Sequence, residues 1–307
     1  MTCGVPQGSV LAPIMFIVYI NDLTERVTSY MNMFADDAKI QRRITDKESV
    51  EALQSDLNKI HCWSQKWQME FNTNKCSVIQ MGESQKRELA TYKLGEKELQ
   101  KTEKEKDLGI TITKNLEPGE HIANVVRKAY AWWANAKMAF NYMDSDMAKI
   151  LITQHIRPKL EYAAVVWNPH LKKDVAKLEK VQRDITRRVP GLQGLMHEER
   201  MEKLEITTLE ERRERGDAIN MYRCLTGKQF IDKEDFVKLT EGRTRGHKLK
   251  IQKTKGKKYV KKYSFPNREV ERWNKLPPEV IEAKNIGDFK NKYDEHKKTE
   301  KSSQMKQ

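Results

Sequence analysis

SYMNMFADDAKIQRRI, Ser29–Ile44, sets how the first third of the chain is read. Apolar residues from Tyr30 to Ala35 and from Ala38 to Ile40 flank two adjacent acids, Asp36 and Asp37. Two short apolar arms joined by two polar residues predict a β-hairpin with the acids at its tip. Adjacent carboxylates repel, so such a pair either rises in pKa or holds a cation. Hard oxygen ligands suit Mg²⁺, which keeps waters and substrate phosphates in its other positions. Paired magnesium ions serve phosphoryl transfer by activating the attacking oxygen and stabilising the leaving one. Taken alone, the two acids fit a plain polar turn better.

Working outward, GVPQGSVLAP, Gly4–Pro13, crowds glycine, proline, glutamine and serine into ten positions. By itself it reads as a tight turn before a helix. Its glycines would also allow close backbone approach to a ligand, and Gln7 could hydrogen-bond to a base or sugar. Pro13 suits a first helical turn. The helix through IMFIVYINDL is apolar on nearly every side, which predicts burial. Beyond the hairpin, Glu48 to Gln68 carries apolar residues at helical spacing. CSVIQM and LGITI read as strands, and YKLGEKEL as a hairpin turning near Gly95. The first 115 residues are thus mixed, with antiparallel pairing.

After Pro118 the pattern becomes helical. Helices are expected over His121–Tyr142, over Asp146–Trp167 with an interruption at Pro158, and over Asp174–Val189, stopped by Pro190 and Gly191. Thr208 with Glu211 three residues on is a capping-box signal for a further helix, closing at Gly227. Gly242 to Tyr263 holds ten Lys or Arg and no acid, punctuated by Leu249, Ile251, Tyr259, Val260 and Tyr263. That pattern fits either a solvated arm or a nucleic-acid contact, with phosphates taking the charge and rings stacking on bases. The fold class is α+β, in four parts: 1–115 mixed, 119–227 helical, 228–296 basic, and 297–307 a disordered tail.

The chain has 307 residues and a net charge of +14, which favours polyanionic partners. Cys3, Cys62, Cys76 and Cys224 form no CxxC pair, so they read as free thiols, and His61–Cys62 lacks a second pair to hold zinc. The longest apolar run, Val10–Ile20, falls short of the roughly 20 residues that span a bilayer, and no basic start marks a signal peptide. The expectation is an intracellular protein, cytoplasmic or nuclear, with no membrane partner.

GVPQGSVLAP followed by FADD resembles motifs B and C of reverse transcriptases, closest to non-LTR (LINE-type) retrotransposons of the jockey and CR1 kind. WQMEFNTNKC is similar to the motif D region, DLGITI to the motif E primer grip, and IRPKLEYAAVVWNPH to the thumb. LEKVQRDITRRVPG, LEERRERGD and FPNREVERWNKLPPEVIEA resemble the C-terminal region of those elements. Ala12 stands where the family usually has Gly.

The resemblance implies a partial palm followed by a helical thumb and C-terminal region. It implies that Asp36 and Asp37 are catalytic acids binding Mg²⁺. Gly4, Pro6, Gln7, Gly8 and Ser9 would shape the nucleotide pocket and template contact, and Lys75 would lie near the triphosphate. Met33 and Phe34 would anchor the hairpin, and Leu108, Gly109 and Ile110 would pack under the primer end. RNA template, DNA primer and deoxynucleoside triphosphates are the implied partners. Lys177, Lys180, Arg183 and Arg187, with Lys255, Lys257 and Lys258, are the expected contacts to a nucleic-acid backbone.

The family's motif A and fingers precede the Gly-Val-Pro-Gln loop and have no counterpart in the first three residues. Asp22 and Asp46 are not expected to replace the missing acid. The expectation is therefore an N-terminally truncated RNA-directed DNA polymerase, inactive alone, whose first 115 residues are less stable than 119–227. A non-catalytic RNA- or DNA-binding protein derived from a retroelement is the alternative.

Overall fold

The computed structural model describes residues 8–82, 90–140, 142–229, 231, 236–240, 246–256 and 258–304. Two compact units emerge. The first is Met1–Glu105 with Thr113–Asn115, and the second is Lys106–Ile112 with Leu116–Gln307.

In the first unit, α1 (Leu11–Ile20) leads through a 3₁₀ turn (Asn21–Arg26) into the hairpin of β1 (Tyr30–Phe34) and β2 (Asp37–Gln41). Then come α2 (Lys47–Lys66), β3 (Ser77–Ile79), the β4–β5 hairpin (Lys93–Leu94, Lys97–Glu98) and β6 (Gln100–Thr102). Helix α2 starts at Asp46, whose side chain accepts from Ser49 N–H while the Ser49 hydroxyl completes a capping box. Its buried stripe of Asp56, Leu57, Ile60, Trp63 and Ser64 has helical period, so one face meets the core. That core gathers Ile20, Leu23, Leu57, Ile60, Trp63, Tyr92, Leu94 and Leu99.

Two expectations for this unit are corrected. Helix α1 is not buried: Leu11, Ile14, Met15, Ile17 and Val18 are all exposed, and only Ile20 is buried. An all-apolar helix has no preferred face, and the core takes only its C-terminal end. The pairing is also not wholly antiparallel. β1–β2 and β4–β5 are antiparallel, but β3 runs parallel to β6, with the β4–β5 hairpin inside the crossover between them.

Strands β7 (Lys104–Asp107) and β8 (Ile110–Thr113) lead toward the second unit, which is helical. Its helices begin with α3 (Gly119–Ala139), α4 (Ser145–Leu151), α5 (Arg157–Glu161), α6 (Ala164–Trp167), α7 (Lys172–Thr186), α8 (His197–Lys203) and α9 (Leu209–Leu225). They continue with α10 (Tyr259–Lys262), α11 (Phe265–Lys275), α12 (Pro278–Ile281) and α13 (Ile286–Gln304). Pro158 does not interrupt the second of these segments as expected. A π turn at Ile152–Ile156 precedes it, and Pro158 sits in the first turn of α5, where its missing N–H costs little. The break falls at Ala163, which is left-handed at φ 50°.

Helix α9 has the expected cap: the Thr208 hydroxyl accepts from Glu211 N–H at 3.1 Å, and Thr208 N–H donates to the Glu211 carboxylate at 3.3 Å. Leu209 belongs to a core with α3 and α7, whereas Ala218–Leu225 belong to a core around Trp273 and Phe289. One helix thus serves two cores, so the expected boundary near residue 227 does not divide compact units. Residues 297–304 are helical rather than a disordered tail. Ion pairs of Lys297 with Glu300 and of Lys301 with Glu211 support that last stretch.

Between α9 and α11 lies a network of charges. The Arg268 guanidinium donates twice to buried Asp217, at 2.8 Å from both Nε and Nη2. Arg272 reaches Glu214 at 2.6 Å and Glu269 at 3.0 Å. Glu269 is 1% exposed, and burial pushes its carboxyl up to about 8 against the pull of Arg272.

Candidate functional site: an acid-tipped hairpin and a cationic helix

In the β1–β2 hairpin Phe34 pairs with Asp37, so the two-residue loop is Ala35–Asp36. The tip lies one residue earlier than the sequence pattern suggested: Asp36 is in the turn, and Asp37 opens β2. Ala35 has φ 51°, the left-handed region that hairpin loops need but alanine disfavours, at a cost of roughly 1–2 kcal/mol. Both carboxylates are exposed. Among the described residues no group of three or more His, Cys, Asp or Glu could enclose a metal ion. Two adjacent carboxylates alone fit a cation that keeps most of its waters or takes phosphate oxygens, rather than a closed cage.

The hairpin is held from behind by Asp56 of α2. This buried carboxylate accepts from Ser29 N–H at 2.8 Å, the Ser29 hydroxyl at 2.7 Å, Thr28 N–H at 3.1 Å and Lys59 at 3.1 Å. Burial alone would raise its pKa, but these donors outweigh burial and hold it well below the usual carboxylate range. Its contribution is therefore complete at neutral pH, above the ordinary carboxylate pKa, and is lost only as pH falls through the depressed value. Asp56→Ala leaves at least two donors without their acceptor, at about 1–3 kcal/mol each. The expected result is faster hydrogen exchange across residues 28–41 with protection of α7 unchanged. Unchanged exchange in the hairpin would show that Asp56 does not hold it. Nothing in the local sequence marked Asp56, because its partners lie on another element.

Other predicted residues fall as follows. Gly4, Pro6 and Gln7 lie outside the described residues. Gly8 is in the turn before α1 at φ 88°, and a Cβ there would meet nothing within 4 Å, so backbone conformation rather than crowding calls for glycine. The Ser9 hydroxyl accepts from Ala12 N–H at 3.1 Å and so supports the start of α1. Lys75 is exposed in a turn, its N–H bonded to the Asn72 carbonyl at 2.9 Å. Met33 packs against the first-unit core, but Phe34 is 64% exposed and does not anchor the hairpin, because alternate residues of a strand face opposite sides. Asp22 is bonded by Trp63 Nε1 at 2.8 Å and by Arg26, and Asp46 caps α2, so both have structural duties.

Leu108 and Gly109 form the turn between β7 and β8, both at positive φ, and Ile110 opens β8. The turn belongs with the helical unit: Tyr162 donates to the Leu108 carbonyl at 3.1 Å, and a Cβ on Gly109 would stand 3.3 Å from the Tyr162 ring. Ile110 packs against the core of α3 and α7. Cys62, Cys76 and Cys224 are free thiols, and the His61 ring packs under Gly95 rather than pairing with Cys62 around a metal.

On α7, Leu178, Val181, Gln182 and Ile185 are buried while Lys173, Lys177, Lys180, Arg183 and Arg187 are exposed. Steps of three and four residues place these five cations along one ridge. Lys177 is tied to Asp174 at 3.0 Å, and Arg187 is 3.8 Å from Asp184. Lys255 and Lys258 are exposed, whereas Lys257 lies outside the described residues. Their segment is stitched to α11: Thr254 N–H donates to Asn267 at 3.0 Å, Trp273 Nε1 donates to the Leu249 carbonyl at 2.7 Å, and Ile251 bridges Leu239. The described part is therefore not a detached arm.

The first unit thus carries an acid-tipped hairpin, and the second, described by itself, a cationic helical ridge. Residues 1–112 match the reverse transcriptase (RNA-dependent DNA polymerase) family. The chain is 20% identical over 205 residues to the probable RNA-directed DNA polymerase from transposon X-element of Drosophila melanogaster, a match covering 62% of this chain and 22% of that protein. It is 25% identical over 202 residues to the RNA-directed DNA polymerase from mobile element jockey of Drosophila funebris, covering 61% of this chain and 22% of that protein. A relative from transposon BS of Drosophila melanogaster is also 25% identical over 202 residues, covering 59% of this chain and 22% of that protein. The chain thus spans about a fifth of the length of the curated relatives it matches. No solved structure matches it. Among the described residues no helix is long and apolar enough to cross a membrane.

Proposed function

We propose that this chain supplies part of an RNA-directed DNA polymerase acting on an RNA template and a DNA primer. Asp36 and Asp37 hold a divalent cation, Mg²⁺ in the resemblance, at the hairpin tip. The bound ion would supply charge neutralisation at the triphosphate. The residues' own tasks are to present two oxygens at a fixed turn and to keep that turn seated through Asp56. Gly4, Pro6, Gln7, Gly8 and Ser9 shape the pocket for the incoming deoxynucleoside triphosphate, Lys75 faces its phosphates, and Leu108, Gly109 and Ile110 support the primer end. The α7 ridge tracks the strand backbone.

The observation that supports this reading is the exposed Asp36–Asp37 pair at the strained tip of the β1–β2 hairpin, in sequence that matches the reverse transcriptase family. Iron(II) substituted for Mg²⁺, with ascorbate and peroxide, tests it. Backbone cleavage is expected within residues 30–41, suppressed by excess Mg²⁺ and absent in Asp36→Asn/Asp37→Asn. Cleavage elsewhere, or cleavage unchanged in that variant, would refute the metal assignment. The α7 ridge supports nucleic-acid binding by a non-catalytic retroelement-derived protein equally well, and binding without hairpin cleavage would select that reading.

A further inference from the structure

The basic segment ends in an aromatic cluster that joins residues distant in sequence. His170 and Tyr263 are stacked face to face, with ring centroids 3.9 Å apart and planes 7° from parallel. Tyr259 lies 6.4 Å from His170 and 6.3 Å from Tyr263, with its plane within 11° and 4° of theirs. These distances form a triangle rather than a column, so Tyr259 stands beside the pair and the rings make one shelf. Tyr259 is 72% exposed, far more than a tyrosine packed for stability alone. Lys262 lies over the Tyr263 ring at 5.3 Å, while Lys261 of α10 and Lys258, which caps its start, are exposed. His170 lies two residues before α7, and it lines a pocket with Lys173 and Lys177 of the ridge, as well as Glu117 and buried Asp174. An open ring face flanked by cations is the chemistry that binds an unpaired base and its phosphates, since stacking is indifferent to base identity and lysines neutralise the backbone.

We infer that His170, Tyr263 and Tyr259 form a base-stacking site for single-stranded nucleic acid, placed where the α7 ridge begins. A base lies on Tyr259, and Lys258, Lys261 and Lys262 take the adjoining phosphates. The stacked His170–Tyr263 pair flanks Tyr259 and shares its ring orientation. This inference rests on the nucleic-acid reading of the second unit and adds a residue-level subsite to it.

The test compares binding of a short oligouridine with binding of an abasic strand of equal length and charge, by fluorescence anisotropy. The full chain is expected to prefer the base-bearing strand by roughly tenfold, the size of one base–aromatic stack. Tyr259→Ala should abolish the preference and leave abasic binding unchanged, whereas Tyr259→Phe, which keeps the ring, should retain it. Lys258→Gln/Lys262→Gln should weaken both strands alike. Equal binding of the two strands by the unsubstituted chain, or a preference that survives Tyr259→Ala, overturns the stacking site while leaving the ridge intact. Binding of neither strand overturns the site and the nucleic-acid reading together.

Discussion

Replacing Lys180, Arg183 and Arg187 together by Gln is expected to weaken single-stranded RNA binding about a hundredfold at 0.1 M salt. The log–log salt slope should become shallower by about two. Each phosphate neutralised on a single strand contributes about 0.7 to that slope, hence about 0.7 log units at 0.1 M salt. Three contacts on one ridge therefore give about two log units. Lys177 is left in place because its ammonium pairs with buried Asp174, so changing it would mix stability with binding. The three chosen side chains point to solvent, and neutralising them should leave the thermal midpoint nearly unchanged. Titration at several salt concentrations decides the matter. An unchanged slope would mean that the ridge is an ordinary solvated face.

The second large effect is a dependence of stability on pH. Glu269 has an ordinary carboxyl pKa of 4.5 when unfolded, and burial raises it to about 8 in the fold. The folded chain then holds a proton that the unfolded chain has released. Stability should accordingly fall as pH rises from about 4.5 to about 8, by an amount on the order of a few kcal/mol, and level off above that. Arg272 offsets part of the cost, while Asp217 and Glu214 add to it. Glu269→Gln removes the titrating group and keeps most of the shape, so its stability should vary less over the same window and exceed that of the unsubstituted chain near pH 8. Urea unfolding at pH 5, 6, 7 and 8 measures this. Equal slopes with pH for both chains would place the stability loss elsewhere.

Several features were legible in the order of residues because their causes are local. The hairpin at Tyr30–Gln41 follows from two short apolar arms around a polar pair, and the α9 cap from Thr208 and Glu211 three residues apart. The apolar stripe of α7 and, by subtraction, its cationic ridge follow from helical period. The likeness to reverse transcriptases was readable from GVPQGSVLAP and FADD, and the family match over residues 1–112 agrees with it.

What the order of residues left open depends on neighbours that local rules do not see. An all-apolar helix predicts burial but not which partner covers it, and α1 remains largely exposed. Pro158 looks like a break until a π turn places it at a helix start, moving the break to Ala163. Residues 297–304 look like a polar tail, yet Lys301 finds Glu211 on α9 and the helix continues. The Asp56 anchor, the proton on Glu269 and the ring of His170 against Tyr263 all depend on groups that meet only after distant elements pack. Hydrogen bonding, desolvation and stacking act over a few ångströms of space, whereas periodicity and caps act over a few residues of chain. The sequence alone therefore determined the hairpin, the capped start of α9, the apolar stripe of α7 and the family resemblance, while tertiary packing decided where other helices break or continue and which side chains work together.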